Sequence, residues 1–323
     1  MIVKNTYWKA FALAVFMCSA LVLSFGAFAV ADDFPDRPIK LVIPMNPGGS
    51  HDAHARAFAG VAHEYFGQPV LAVIKSGANG TIGASFVANS RPDGYTLLLG
   101  DQQAMISQPL VEKTSYSYKS FVSIGRINYS PMIICVHADA PYKTLAELVA
   151  YAKKHPNKIL WGGGTGVSNA MLTMMPWVKK TGIDLKGIPY SGGGPQLLAF
   201  LKKDNDLGAF FPSVIGEYLK KGTVRALAIA SPERIEAFPD VPTFIEQGFD
   251  HQYAMFRAIF APKDVPADRV EKLRAAFDKT VKDKSFQSIV KRMEESVIYM
   301  DGKNFDKFMV EENARIEEAI KDL

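Results

Sequence analysis

Short apolar runs alternate with longer amphipathic runs along most of the chain. The apolar runs predict strands at Ile39–Pro44, Val70–Ile74, Tyr95–Leu99, Met132–Val136, Ile159–Trp161, Leu185–Ile188, Leu207–Phe211, Val224–Ala230 and Tyr253–Ala261. The amphipathic runs predict helices at Asp52–Phe66, Gly83–Asn89, from a Thr144/Glu147 capping box to Lys154, and at Ser168–Lys180, Pro195–Lys203, Val214–Lys220, Ala267–Lys282 and Phe305–Asp322. This order is typical of an α/β protein.

The strand–helix order starts again after residue 130, and no long flexible linker separates the two halves. We therefore expect two α/β lobes, each a mainly parallel sheet flanked by helices. Two lobes joined directly would form a cleft. The carboxyl ends of parallel strands are where such proteins bind ligands, so the cleft is the expected site.

The N-terminal segment has the pattern of a signal peptide. Lys4 and Lys9 precede an uncharged apolar stretch, Ala10–Val30, and Ala29-Val30-Ala31 fits a cleavage site. About 20 apolar residues can also span a bilayer, so a membrane anchor is the alternative. The pattern favours cleavage, which predicts that residues 1–31 are removed and that the protein is exported.

Composition and charge exclude several classes of protein. The 323 residues are 48% hydrophobic and 22% charged, which is ordinary for a globular chain. The net charge is +4, and without Lys4 and Lys9 it is +2, so we expect no nucleic-acid partner. After cleavage Cys135 is the only cysteine, which excludes an intramolecular disulfide and a CxxC redox site. Its apolar surroundings predict a buried side chain.

Glycine-rich loops follow three predicted strands and open helices. They lie at Pro47–Ser50, Gly162–Ser168 and Tyr190–Gly194. Free backbone N–H groups and the helix dipole favour anions at such places, although tight turns with ordinary N-caps are the alternative. A P-loop is excluded because no lysine follows at the required spacing, and Val167 breaks GxGxxG. Together the loops predict an anion-binding cleft without a nucleotide.

Two enzyme-like or metal-like patterns are weaker. Gly166-Val167-Ser168-Asn169-Ala170 resembles a nucleophile elbow, and His251 is the only histidine after Ser168, so an exported α/β hydrolase using Ser168 is one alternative. Ser168 could instead cap its helix. His51 and His54 flank Asp52 at a helix start, so a metal- or redox-related accessory protein is another alternative. Residues at an exposed helix start would give the same pattern.

Several motifs in order along the chain resemble one family. They are Phe34-Pro-Asp-Arg-Pro-Ile-Lys-Leu-Val-Ile-Pro44, Pro47-Gly-Gly-Ser-His-Asp52, Arg91-Pro-Asp-Gly-Tyr-Thr-Leu-Leu-Leu-Gly100, Thr144-Leu-Ala-Glu-Leu148, Gly164-Thr-Gly166, Pro189-Tyr-Ser-Gly-Gly193, Arg225-Ala-Leu-Ala-Ile229 and Pro239-Asp-Val-Pro-Thr-Phe244. The chain thereby resembles the solute-binding proteins of tripartite tricarboxylate transporters, the Bug-type receptors.

This resemblance implies a non-enzymatic periplasmic receptor with the two-lobed type II periplasmic-binding-protein fold, a Venus flytrap. It implies capture of a small organic carboxylate, expected to be a di- or aromatic carboxylate, for delivery to the membrane permease of the transporter. The chain would cross between lobes near Tyr129 and His251. One lobe would comprise residues 32–128 and 251–323, and the other residues 129–250. We expect a monomer with no cofactor and no metal.

The family's carboxylate-binding loops map onto five segments of this chain. With Phe211 and Arg257, they predict ligand contacts from Met45, Asn46, Gly48, Gly49, Ser50, Asp52, Asn79, Gly80, Thr81, Asp101, Gln102, Gly164, Thr165, Gly166, Ser168, Asn169, Tyr190, Ser191 and Gly192.

Departures from the family pattern indicate an altered pocket. Phe210-Phe211 stands where the family commonly has Phe-Asp, so an acidic group is missing. This predicts a ligand without an essential ammonium group, although Asp52 or Asp101 could pair with one. Arg257 lies in an apolar run, where it predicts a bidentate clamp on a ligand carboxylate. A surface arginine, or one paired with a structural acid, is the alternative.

Overall fold

The strands that the structure describes form two sheets, one of six strands and one of five. The structure is a computed structural model and describes residues 33–164 and 167–321. Its strands are β1 (Ile39–Ile43), β2 (Val70–Ile74), β3 (Thr96–Asp101), β4 (Phe121–Pro131), β5 (Ile133–His137), β6 (Leu160–Gly164), β7 (Lys186–Tyr190), β8 (Leu207–Phe210), β9 (Val224–Ile229), β10 (Ala254–Pro262) and β11 (Met300–Asp301).

Helices surround both sheets. They are α1 (Ser50–Phe66), α2 (Thr81–Ala88), α3 (Gln108–Val111), α4 (Leu145–Lys154), α5 (Asn169–Thr181), α6 (Gly193–Leu201), α7 (Pro212–Lys220), α8 (Ala267–Lys282), α9 (Lys284–Arg292) and α10 (Gly302–Lys321). Single 3-10 turns lie at Ala78–Gly80, Tyr118–Ser120 and Ile245–Gln247, and a π-helical turn at Gln103–Ser107 leads into α3. None of these described helices is long and apolar enough to cross a membrane.

Both sheets are mixed, so the prediction of mainly parallel sheets is wrong. The first sheet has the order β11-β4-β10-β3-β1-β2, in which only the pairings of β1 with β2 and β3 are parallel. The second has the order β7-β6-β8-β5-β9, in which β5 runs antiparallel to both neighbours. Strand direction follows from how the chain passes between sheets, which residue periodicity does not encode. The predicted α/β architecture itself is confirmed.

The chain passes between the sheets twice. Strands β1 to β4 lie in the first sheet, and β5 enters the second after a single intervening residue, Met132. Strand β10 returns to the first sheet at Ala254. The lobe boundaries at residues 129 and 251 stay a prediction. The predicted signal peptide, residues 1–31, lies outside the described residues.

Strand β4 and helix α9 are absent from the sequence-based predictions. In β4, the polar residues Ser123, Arg126, Asn128 and Ser130 are all buried, so the strand has no alternating polar face that a pattern could reveal. Elsewhere the pattern works well. The helix predicted at Ala267–Lys282 has those bounds in the structure.

The cores contain the residues that the apolar pattern indicated. In the first lobe, Phe58 of α1 packs against Phe277 and Phe286, with ring centroids 5.7 and 6.0 Å apart. In the second, Cys135 is fully buried in β5, which confirms its predicted packing role. At the start of α4, Thr144 Oγ1 accepts a hydrogen bond from Glu147 N at 3.1 Å, which is half of the predicted capping box; Glu147 Oε2 accepts from Lys143 N at 2.6 Å rather than from Thr144 N.

Candidate functional site

Two neighbouring cavities, of about 250 and 90 Å³, lie between loops that follow strands of both sheets. Wall residues at the strand ends, loops and helix starts of the first lobe include Met45, Ser50 and Asp101, and those of the second include Ser191 and Phe211. Their walls share seven residues, Asn79, Gln103, Asn169, Gly192, Gly193, Phe211 and Val214. The two cavities are therefore neighbours, and we refer to them together as the cleft.

The N-termini of α1 and α6 open into the larger cavity. The N-cap residues are Gly49 for α1 and Gly192 for α6, and neither has a side-chain cap for the first N–H groups. Gly192 has φ 116°, a conformation that favours glycine. The first N–H groups of a helix lack intrahelical acceptors and carry partial positive charge. These two N-termini thus offer backbone donors to an anion without any cationic side chain.

Ser168 and Asn169 begin α5 and have different roles. Ser168 Oγ accepts a hydrogen bond from Met171 N at 3.2 Å, so this side chain caps the helix. Asn169 Nδ2 lies 3.4 Å from Asp101 Oδ2 and 3.3 Å from Gln103 Oε1, and Asn169 Oδ1 accepts from the Tyr253 hydroxyl at 2.7 Å. Asn169 therefore joins the loops of the two sheets at the cleft.

Asp101 is a fully buried carboxylate in the cavity wall. Its Oδ1 accepts a hydrogen bond from Ala104 N at 2.8 Å, and its Oδ2 lies 3.4 Å from His51 Nε2. Burial opposes ionisation of Asp101, but His51 and the hydrogen bonds from Ala104 and Asn169 outweigh it and lower its pKa. Burial lowers the pKa of His51, although Asp101 opposes this shift. We therefore expect ionised Asp101 beside neutral His51 at pH 7.

Arg257 lies behind the cavity wall in a buried polar network. Its Nη1 is 2.8 Å from Glu295 Oε2 and its Nη2 donates to Ser50 Oγ, while its guanidinium lies 4.9 Å from the centre of the Phe211 ring. Glu295 also accepts from Asn128 Nδ2 at 2.5 Å and from Ser213 Oγ. Arg257 is thus paired with a structural acid, which is the alternative that the sequence left open.

These loop and cavity features occur in a chain that matches a known family over most of its length. Residues 54–323 match the model of the tripartite tricarboxylate transporter family receptor. The chain belongs to this family. The resemblance read from the motifs is confirmed.

Solved structures of similar proteins place the receptor among periplasmic binding proteins. The periplasmic binding protein BugD is 28% identical, with a TM-score of 0.81, over 90% of this chain and 98% of BugD. MatC of Rhodopseudomonas palustris with bound malate is 27% identical, with a TM-score of 0.82, over 89% of this chain and 100% of MatC. Another R. palustris protein, with adipate, is 26% identical, with a TM-score of 0.83, over 90% of this chain and 98% of that protein. The two-lobed α/β fold is confirmed.

Most predicted ligand-binding residues of the receptor line the cleft. These are Met45, Asn46, Gly49, Ser50, Asn79, Gly80, Asp101, Ser168, Asn169, Tyr190, Ser191, Gly192 and Phe211. The predicted residues that do not line either cavity are Gly48, Asp52, Thr81, Gln102 and Arg257. Gly164 ends β6. Thr165 and Gly166 lie outside the described residues.

Local hydrogen bonds explain why some of the predicted contact residues do not line the cavities. Asp52 Oδ2 accepts from Gly48 N at 3.0 Å and its Oδ1 pairs with Arg56 at 2.7 Å, so Asp52 holds the first loop rather than facing the cavity. Thr81 Oγ1 donates to Ala78 O at 2.9 Å. His51 and Gln103 also line the cavities; both lie inside the predicted loops at residues 45–52 and 101–104, although neither is among the predicted contacts.

The alternative functions find little support in the receptor's geometry. His251 Nε2 is hydrogen-bonded to Thr173 O at 2.6 Å, so this nitrogen is not positioned as the general base that a Ser168 nucleophile would need. His54 interacts with Ser50 O and lies 3.4 Å from Glu295, whereas His51 faces Asp101. The described residues hold no cluster of three or more potential metal ligands.

Proposed function

We propose that this receptor captures a small dicarboxylate in the cleft and delivers it to the membrane subunits of a tripartite tricarboxylate transporter. The main support for the proposal is that the N-termini of α1 and α6 face the same cavity. Both lack a side-chain cap, and the two helices follow strands of different sheets. Each can hold a carboxylate through backbone N–H groups. Two such ends suit a ligand with two carboxylates, as in malate and adipate of the structural neighbours.

Ligand capture is proposed to stabilise a closed arrangement of the lobes. Direct contacts already join loops that follow strands of different sheets. Asn46 Nδ2 donates to Ser191 O at 2.8 Å, and Ser50 and Ser213 share a hydrogen bond of 2.8 Å. A ligand that bridges the same loops binds the closed state better than the open state, and it therefore shifts the population toward closure. The membrane subunits of the transporter would then bind the closed form of the receptor.

We further propose that the mature receptor begins after residue 31, works in the periplasm as a monomer, and has lobes of residues 32–128 with 251–323 and of residues 129–250. The membership of the family and the periplasmic binding proteins among its neighbours support the compartment. The order of strands in the two sheets supports the lobe division.

Thermal unfolding with candidate ligands tests the proposal. A specific ligand at 100 times its Kd stabilises the native state by about 2.7 kcal/mol, which raises the melting temperature. We expect aliphatic or aromatic dicarboxylates to do so and their dimethyl esters not to. If no carboxylate raises the melting temperature or gives heat in calorimetry, the proposal is wrong.

A pair of variants at one residue tests the role of the α6 N-terminus. Gly193 is the first residue of α6 and a Cβ there meets nothing within 4 Å. Gly193→Pro removes one N–H group at a position where proline suits a helix, whereas Gly193→Ala keeps it. Loss of a charge-assisted hydrogen bond should weaken binding by about 10-fold or more in Gly193→Pro alone. Equal affinity of the two variants would exclude this donor.

A further inference from the structure

One charged side chain lies in the described wall of the cleft. Among the described residues that line the two cavities, Asp101 is the only one with a formal charge at neutral pH, because His51 is neutral there and no Lys or Arg lines them. An ionised carboxylate repels a carboxylate of the ligand. The carboxylates of the ligand are therefore expected at the helix N-termini, and a group that donates a hydrogen bond would suit the position beside Asp101.

Asp101 and His51 also have unused hydrogen-bonding capacity that points to such a group. Asp101 Oδ1 accepts a hydrogen bond from Ala104 N, whereas the partners of Oδ2 among the described residues are Asn169 Nδ2 and His51 Nε2, each 3.4 Å away. His51 is 6% exposed, and its buried Nε2 makes no hydrogen bond with the described residues. Buried polar atoms are normally paired, so an unpaired one in a cavity wall indicates a missing partner.

We propose that Asp101 and His51 form a subsite that selects ligands with a hydroxyl or ammonium substituent on the carbon chain. The inference rests on the proposed function, because it assumes a dicarboxylate in the cleft. A hydroxyl donates its hydrogen to Asp101 Oδ2 and accepts one from His51 Nε2. An ammonium donates to both, with His51 in the tautomer that leaves Nε2 free to accept. Both groups share the ability to donate to a buried carboxylate.

The sequence offers two acids near the cleft, Asp52 and Asp101, that could pair with a ligand ammonium group. Asp52 is engaged with Gly48 and Arg56 away from the cavity. Asp101 is therefore the acid that is placed to receive a donor.

Calorimetric titration with three matched dicarboxylates tests the subsite. Succinate, malate and aspartate differ only in carrying a hydrogen, a hydroxyl or an ammonium group, and glutarate, 2-hydroxyglutarate and glutamate repeat the series one carbon longer. We expect the wild type to bind at least one substituted acid of either series about 10-fold or more tighter than its parent acid. Malate and aspartate then tell the hydroxyl and ammonium cases apart.

Asp101→Asn should reduce that preference to within about threefold, because a neutral amide is a poorer acceptor. Asp139→Asn, at an exposed site outside the cleft, is the matched control and should keep it. His51→Gln is a second variant and should also narrow the preference, which keeps the test open if Asp101→Asn does not fold. Equal binding of parent and substituted acids by the wild type, or an unchanged preference in both variants, overturns the subsite but leaves the receptor function standing. Failure of all six acids to bind overturns the subsite, and the receptor function falls with it only if the wider carboxylate screen also gives no binding.

Discussion

Removal of the charge of Glu295 tests how much the buried network behind the cleft stabilises the receptor. Glu295 and Arg257 are at most 2% exposed, with 2.8 Å between Oε2 and Nη1. Burial opposes ionisation of Glu295, but the charge of Arg257 and the contacts with His54 and Ser213 outweigh it and lower its pKa below the ordinary value. Glu295→Gln keeps the size and one acceptor oxygen, and it leaves the guanidinium without a counter-charge.

The expected loss follows from the geometry. At 2.8 Å and an effective dielectric constant of about 20, the attraction between the two charges is about 6 kcal/mol. Desolvation of both ions offsets much of this, and removal of one partner of a buried pair costs about 3–5 kcal/mol. The double variant Arg257→Met, Glu295→Gln removes both charges of the pair, so we expect it to recover much of the loss.

Urea denaturation of the mature chain, followed by circular dichroism, measures the free energy of unfolding. Glu236→Gln is the control, because Glu236 forms an exposed ion pair with Lys291 and its loss should change little. The contribution of Glu295 is fully present above the ordinary glutamate pKa of about 4.3 and declines as pH falls toward the lower folded-state value. The difference between wild type and Glu295→Gln should therefore narrow in acid. A loss below about 1 kcal/mol at pH 7 would refute the reasoning.

Two further predictions concern packing. Gly302→Ala should destabilise the protein by about 1–3 kcal/mol, because a Cβ would lie 2.4 Å from Ser123 O. Gly60→Ala in α1 is the control and should be neutral or stabilising, because a Cβ there meets nothing within 4 Å. Thermal denaturation measures both variants, and equal changes in melting temperature would contradict the prediction. Cys135 should resist thiol reagents such as Ellman's reagent until the protein unfolds, because burial leaves the thiol inaccessible and raises its pKa; rapid labelling of the native protein would disagree.

The fold was largely predictable because burial of one face of a helix or strand gives a regular spacing of apolar residues along the sequence. The strand at Val70–Ile74 and the helix at Ala267–Lys282 were predicted with the bounds that the structure has. Strand β4 was missed because its polar side chains are buried on both faces of the first sheet. The direction of β5 and β10 was also missed, since it depends on the passage of the chain between the sheets.

The loops of the site were predictable, but their side-chain partners were not. Glycine-rich turns before α1 and α6 are visible in the sequence as local features. The partner of Arg257 is Glu295, which is 38 residues away and follows α9 in a segment with no recognisable motif. Which acid pairs with Arg257 depends on the residues that tertiary packing brings within hydrogen-bonding distance of its guanidinium group.

The sequence by itself determined the α/β elements, the glycine-rich helix starts and the family, because each can be recognised from short stretches of neighbouring residues. Only the tertiary structure decided that Arg257 pairs with Glu295 and that Asp101 meets His51 in the cavity wall. Both pairs join separate segments, and a buried charge must take its partner from whatever the fold places beside it. Arg257 therefore pairs with Glu295 behind the cavity wall, whereas Asp101 and His51 form part of that wall.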